Sequence, residues 1–180
     1  MTPALSVRTP RLELIAATLE LLEAELAGPE ALGALLGVPV PDSWPPGEYD
    51  CDALDFFLSR IFTYGPSVVG WYNWYAIVIG SDGRRESLVA GAGYMGPPVE
   101  DLVEIGYSVV PEARGRGFAT EIVEGLVSHA LAADGVQRVI AHTLVSNATS
   151  QGVLKRAGFL AAGPGVEPGV LRFERSRSRS

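Results

Sequence analysis

The stretch PEARGRGFATE, residues 111–121, decides how this chain is read. Pro111 turns the backbone, Gly115 and Gly117 flank Arg116, and a helical pattern begins at Phe118. The run before it, LVEIGYSVV (102–110), is apolar and β-branched and reads as a strand. A helix start leaves its first four N–H groups unpaired and carries about half a positive charge. Glycine lets such a backbone approach a ligand without a Cβ in the way. Strand, glycine turn and helix together form a phosphate-binding arrangement, and Arg114 and Arg116 add charge. A dinucleotide fingerprint would place a third glycine where Thr120 stands, and a nucleoside-triphosphate loop would need a lysine after these glycines. Both are disfavoured. A plain helix start fits the same residues, so the motif alone leaves the two readings open.

Outward from this stretch, helical and strand periods alternate. Upstream, RLELIAA (11–17) alternates as a strand, and Thr18 is placed to cap a helix over TLELLEAELA. PEALGALLG (29–37) reads as a short helix, and Pro39, Pro41, Pro45 and Pro46 force an extended loop. Leu54, Phe57, Leu58 and Ile61 recur at helical spacing. WYNWYAIVI (71–79), SLVAGAGYMG (87–96) and LVEIGYSVV then read as an antiparallel meander. In the helix after the glycine turn, Phe118, Ile122, Leu126, Val127 and Ala130 share one face, with Glu121, Glu124 and Ser128 expected opposite. Downstream come the strand RVIAHTLV, the helix NATSQGVLKRAG capped by Asn147, and a final strand pair in FLAAG and VLRFER. The expected fold is α/β: one layered domain over residues 1–174, with a mixed central sheet, an antiparallel meander, then strand–helix–strand–helix. The tail RSRSRS (175–180) is expected to be disordered.

Composition narrows the partners. The net charge is −7, which argues against nonspecific nucleic-acid binding and favours cationic partners. No apolar run reaches the roughly 20 residues of a membrane span. No secretory signal is expected, since Arg8, Arg11 and Glu13 interrupt the first residues, and a single Cys51 suits the cytoplasm. Two histidines and one cysteine, unclustered, are too few for a metal site.

EIGYSVVPEARGRGFATE together with NATSQGVLKRAGF resembles the GNAT superfamily of acyl-CoA-dependent N-acyltransferases. Its pyrophosphate signature, Gln/Arg-x-x-Gly-x-Gly/Ala, is matched by Arg114-Gly115-Arg116-Gly117-Phe118-Ala119. TPRLEL, LLGVPVPDSWPP, GWYNWYAIV and GAGYMGPP extend the likeness to the subgroup that acetylates ribosomal-protein N-termini. The resemblance implies a bulged strand that splays from its parallel neighbour, with the pantetheine arm of acetyl-CoA paired near Val109 and Val110. It implies that the amides of Arg114, Gly115, Arg116, Gly117, Phe118, Ala119 and Thr120 hold the pyrophosphate. Asn147 would lie near the thioester, and a cap role is compatible with that.

The resemblance further implies direct transfer of an acetyl group to a primary amine, on a small molecule or a protein N-terminus, and a homodimer is compatible with it. An amine attacks only when neutral. At pH 7 a lysine amine is neutral in roughly one molecule in 2,500, and an α-amine in roughly one in seven. Glu104, on an otherwise apolar strand, matches the family's base, acting through a water. The family's tyrosine acid is replaced here by Leu154, and Ser150 matches the serine of the ribosomal-protein subgroup. Trp71, Trp74 and Tyr94 are candidates for the acceptor pocket, and Tyr107 is a further phenol near the cleft. His142 is either a cleft-edge residue or a second base. A Cys51–histidine nucleophile is disfavoured. A non-catalytic acyl-CoA sensor on the same fold is the rival, since binding needs only the turn and the splay.

Overall fold

A computed structural model describes residues 4–178. The chain opens with β1 (Ser6–Arg8), which pairs antiparallel with β2 (Leu12–Ala16). Three residues give no readable period, so β1 is absent from the sequence reading. Thr18 does cap α1 (Leu19–Ala27), accepting from the Leu21 amide at 3.3 Å. Gly28 ends α1 and leads into Pro29, the first residue of α2 (Pro29–Leu36). The proline loop follows, and Asp50 then caps α3 (Cys51–Tyr64). The meander is β3 (Asn73–Ile79), β4 (Arg85–Tyr94) and β5 (Leu102–Val109). After it come α4 (Phe118–Ala132), β6 (Arg138–Leu144), α5 (Ala148–Arg156), β7 (Leu160–Pro164) and β8 (Val170–Ser176).

The eight strands form one sheet in the order β1-β2-β3-β4-β5-β6-β8-β7. Among the described residues only β5 and β6 run parallel, a pairing that requires the crossover through α4. Two cores flank the sheet. On one face Leu12, Leu14, Trp74, Tyr94, Val103 and Ile105 pack with Phe118, Ile122 and Leu126 of α4 and Leu154 of α5. On the other, Ile15, Tyr75, Ile77 and Leu88 pack with Leu22, Leu32 and Phe57 of α1–α3. Strands β2 and β3 are therefore buried on both faces, while β5 alternates buried and half-exposed positions. No helix is long and apolar enough to cross a membrane among the described residues.

Three expectations change. Glu121 is not on a solvent face: it is 8% exposed. It accepts from the Thr9 hydroxyl at 2.6 Å and from the Arg11 amide at 2.7 Å, and pairs with the Arg11 guanidinium at 2.8 Å. Helical spacing could not see partners 110 residues upstream. The β4–β5 register runs unbroken from Ala90↔Val109 to Tyr94↔Ile105, so the expected bulge in β5 is not there; the register shifts fall between β3 and β4. The basic tail begins inside the fold. β8 runs to Ser176, and Arg175 donates to the Ala157 carbonyl at 2.7 Å. The Arg177 amide pairs with Gln137 at 2.8 Å. Ladder bonds override the composition of that segment, and residues 179–180 of the expected disordered tail lie outside the described residues.

Candidate active site

The glycine turn is built by backbone conformation. After β5, residues Pro111–Ala113 make one 3-10 turn. Gly115 and Gly117 then take φ of 73° and 80°. Any residue with a Cβ would pay roughly 1–2 kcal/mol there. No side chain caps α4, so its first amides point out of the helix without a capping oxygen. A Cβ on Gly115 would meet nothing within 4 Å, so that side of the turn is open space. Cations gather around it. The Arg11 guanidinium donates to the Arg116 carbonyl at 2.8 Å, and both Arg11 and Arg116 lie 4.7 Å from the Phe118 ring centroid. Arg114 instead folds back to donate to the Val109 carbonyl at 3.0 Å. Burial pushes the Glu121 carboxyl up, but its bonds from Thr9 and Arg11 outweigh this and hold it below the usual range. Arg11 belongs to the turn, and nothing local in the sequence links it there.

The splay is present. Parallel pairing of β5 with β6 stops at Ile105↔Ala141, while β5 continues through Val109 and β6 through Leu144. The Val110 amide is committed to the Val89 carbonyl at 2.9 Å and the Val110 carbonyl accepts from Ala113 at 3.0 Å. Both polar groups of Val110 thus make a hydrogen bond within the protein, and its carbonyl keeps a second lone pair. Val109 lies on the splayed part of β5.

A side-chain pair stands on each face of the fork. On the α4–α5 side, the Tyr107 hydroxyl lies 2.9 Å from Ser150 Oγ. Asn147 caps α5, its Oδ1 accepting from the Ser150 amide at 3.0 Å. Burial raises the Tyr107 phenol above its ordinary value, so it stays protonated near neutral pH. Leu154 is fully buried one turn on. The phenol therefore comes from a strand, and only the fold reveals it. On the opposite face, Glu104 Oε1 lies 2.7 Å from His142 Nδ1.

Along the splayed part of β5, Gly91, Gly93 and Gly106 floor a groove of about 150 Å³, walled by Tyr49, Phe57 and Met95 with Glu48 lining it. A larger cavity of about 790 Å³ lies among α1, α2, the proline loop and the start of α3. Trp44 and Tyr49 form the partition: both donate to Glu25 at 2.7 Å, as does Tyr75 at 2.5 Å. Burial raises the Glu25 carboxyl despite these bonds. The groove, not the larger cavity, adjoins the fork.

The aromatic candidates lie elsewhere. Trp74 and Tyr94 are fully buried on the α4 side, where Tyr94 donates to the Leu126 carbonyl at 2.6 Å. Trp71 packs against Tyr94 and His129. Strand parity turns Trp74 and Tyr94 away from the groove and Trp71, just before β3, packs on the same side, so they fill core and do not line it; Tyr49 and Phe57 do. Burial lowers the His129 imidazole, and Cys51 is exposed at the start of α3.

The acetyltransferase (GNAT) domain family matches residues 16–160. An uncharacterized N-acetyltransferase, YjdG of Bacillus subtilis, is 27% identical over 155 residues, covering 86% of this chain and 89% of its own. A GNAT acetyltransferase from Bacillus anthracis superposes with a TM-score of 0.64 at 17% identity, covering 96% of this chain and 98% of its own. RimL, a ribosomal L7/L12 α-N-protein acetyltransferase solved with coenzyme A, does so with 0.62 at 18% identity, covering 96% and 98%. That family model spans most of the sequence, and the chain belongs to the GNAT acetyltransferase family.

Proposed function

We propose that the protein transfers an acetyl group from acetyl-CoA to a primary amine, directly, within a ternary complex. The observation that carries this is one juxtaposition: an uncapped, doubly glycine-bent helix start opens beside a strand fork flanked by two proton-bearing side-chain pairs. Bound acetyl-CoA would supply an acyl thioester. The residues present fit its diphosphate: the N–H groups of the turn at 114–120 are presented without a cap, and Arg116 and Arg11 stand beside them. Glu104 accepts or relays the amine proton. Ser150, held by Tyr107 and by the Asn147 cap, orients toward the departing sulfur. The groove of about 150 Å³ suits a small amine or the first residue of a peptide, and Glu48 favours a cation. RimL, which acts on the N-terminus of a ribosomal protein, puts protein N-termini among the acceptors to try. The lone thiol, Cys51, fits work in a reducing cytoplasm.

Thiol release from acetyl-CoA, followed across peptides, amino sugars and polyamines, tests this. Turnover with at least one amine is expected. Gly117→Trp is expected to abolish acetyl-CoA binding in calorimetry, and Glu104→Gln to lower turnover with little change in cofactor affinity. Tight binding without turnover across the panel would replace the enzyme with an acyl-CoA sensor.

A further inference from the structure

The Glu104–His142 contact spans the fork. Glu104 pairs in register with Ile140, one step before the last parallel pair, Ile105↔Ala141. His142 is the first residue of β6 beyond that pair, on the same face as Glu104. The 2.7 Å bond therefore ties the two strands together where they separate. An ionised carboxylate only accepts, so the imidazole must donate from Nδ1. In the neutral ring that leaves the lone pair on Nε2.

The rest of the face leaves this pair to itself. The strand-pair partner of His142 on β8 is Arg172, whose guanidinium is engaged by Glu174 at 3.0 Å. Arg138, two residues before His142 on its own strand, is engaged by Asp101 at 2.8 Å and lies 3.9 Å from Glu174. Both guanidiniums are thus matched by carboxylates, and the ion-pair partner of Glu104 is His142. The ring's far edge faces the β7–β8 hairpin at Gly165. A Cβ there would come within 3.0 Å of His142 Cδ2, so glycine leaves room beside the ring.

We propose that His142 takes the proton of the acceptor amine at Nε2, and that Glu104 is its positioning carboxylate. This rests on the acetyl-transfer reading above. It replaces the role given to Glu104 there: the carboxylate stabilises the charge on the ring, and the proton itself ends on the imidazole. The amine nitrogen bonds to the acetyl carbonyl carbon, and the carbon–sulfur bond breaks with its electron pair leaving on sulfur. The nitrogen's surplus proton passes to Nε2, and the imidazolium is held by the Glu104 carboxylate until it returns the proton to water. Imidazole suits this role because it titrates nearest neutral pH, where a general base works best.

Two measurements test it. Nitrogen-15 NMR of histidine-labelled protein, without ligand, should show His142 protonated at Nδ1 and free at Nε2 at pH near 8; protonation at Nε2 would overturn the proposal. Thiol release from acetyl-CoA is then measured with spermidine, kanamycin and a serine-led peptide, and the fastest acceptor is kept. His142→Asn keeps a donor toward Glu104 but has no Nε2. It should lower kcat about a hundredfold or more, with acetyl-CoA affinity unchanged and the acid limb of the kcat/KM profile gone. Glu104→Gln should cost less and lower kcat with little change in KM, because the ring loses its positioning partner while the acceptor still binds. Added imidazole should restore turnover to His142→Gly. Wild-type turnover and pH profile in His142→Asn, or a larger loss in Glu104→Gln than in His142→Asn, would make the carboxylate the base. Acetyl-CoA binding without turnover on any of the three amines in the wild type would remove the acetyl-transfer reading itself, and this inference with it.

Discussion

The two halves of the sheet are built to different rules. Strands β2, β3 and most of β4 lie between α1–α3 on one face and α4 on the other, and nearly every residue on them is buried. Strands β5, β6 and β8 are covered by α4 and α5 on one face only, and their opposite face carries Glu104, Arg138, His142, Arg172 and Glu174. The first half gains stability from apolar burial. The second gives some of it up, so that titratable groups remain half-wet at the fork. Titratable groups on the doubly covered half, such as Tyr75, are sealed from water, whereas those on the open face stay in reach of it.

This contrast can be broken by substitution. The largest expected loss of stability is for Trp74→Ala, about 3–5 kcal/mol in urea unfolding, because a fully buried ring on the doubly covered half is replaced by a cavity. If that loss fell near zero, the two-sided packing would be wrong. Glu121→Gln comes next, at about 2–3 kcal/mol, since it weakens charge-assisted bonds to Thr9 and Arg11. Its pH dependence is diagnostic. The folded carboxyl is held below the ordinary value, so its contribution is fully present above that value. It is lost as pH falls through the depressed one. Wild type should therefore lose stability on acidification where the variant stays flatter. Because Arg11 also holds the Arg116 carbonyl, the variant should weaken acetyl-CoA binding too. The smallest effect is expected for Arg172→Ala on the open face. Its ion pair is partly solvated, and about 0.5 kcal/mol or less should be lost by thermal unfolding. A large loss there would mean that the polar face is structural, not a surface free to do chemistry.

Much of this architecture was legible in the residues. Caps such as Thr18 and Asn147 act within one turn of the helices they bound, so local spacing reveals them. Strand β1 was not legible, because three residues with no apolar period carry no signal, and Glu121 was misplaced because its partners are remote in the chain. The aromatic candidates failed for a similar reason. Trp71, Trp74 and Tyr94 are aromatic strand or near-strand residues in either reading, and only the register shows which face each ring takes.

The sequence by itself determined the glycine turn and the order of strands and helices from β2 onward, because each depends on neighbours a few residues apart, and it determined the family through motifs whose order along the chain is legible without the fold. Only the tertiary structure decided which distant groups meet: Arg11 at the turn, Tyr107 on Ser150, and His142 on Glu104. Those contacts depend on strand parity and on where two parallel strands part, and both are properties of the assembled sheet rather than of any one segment.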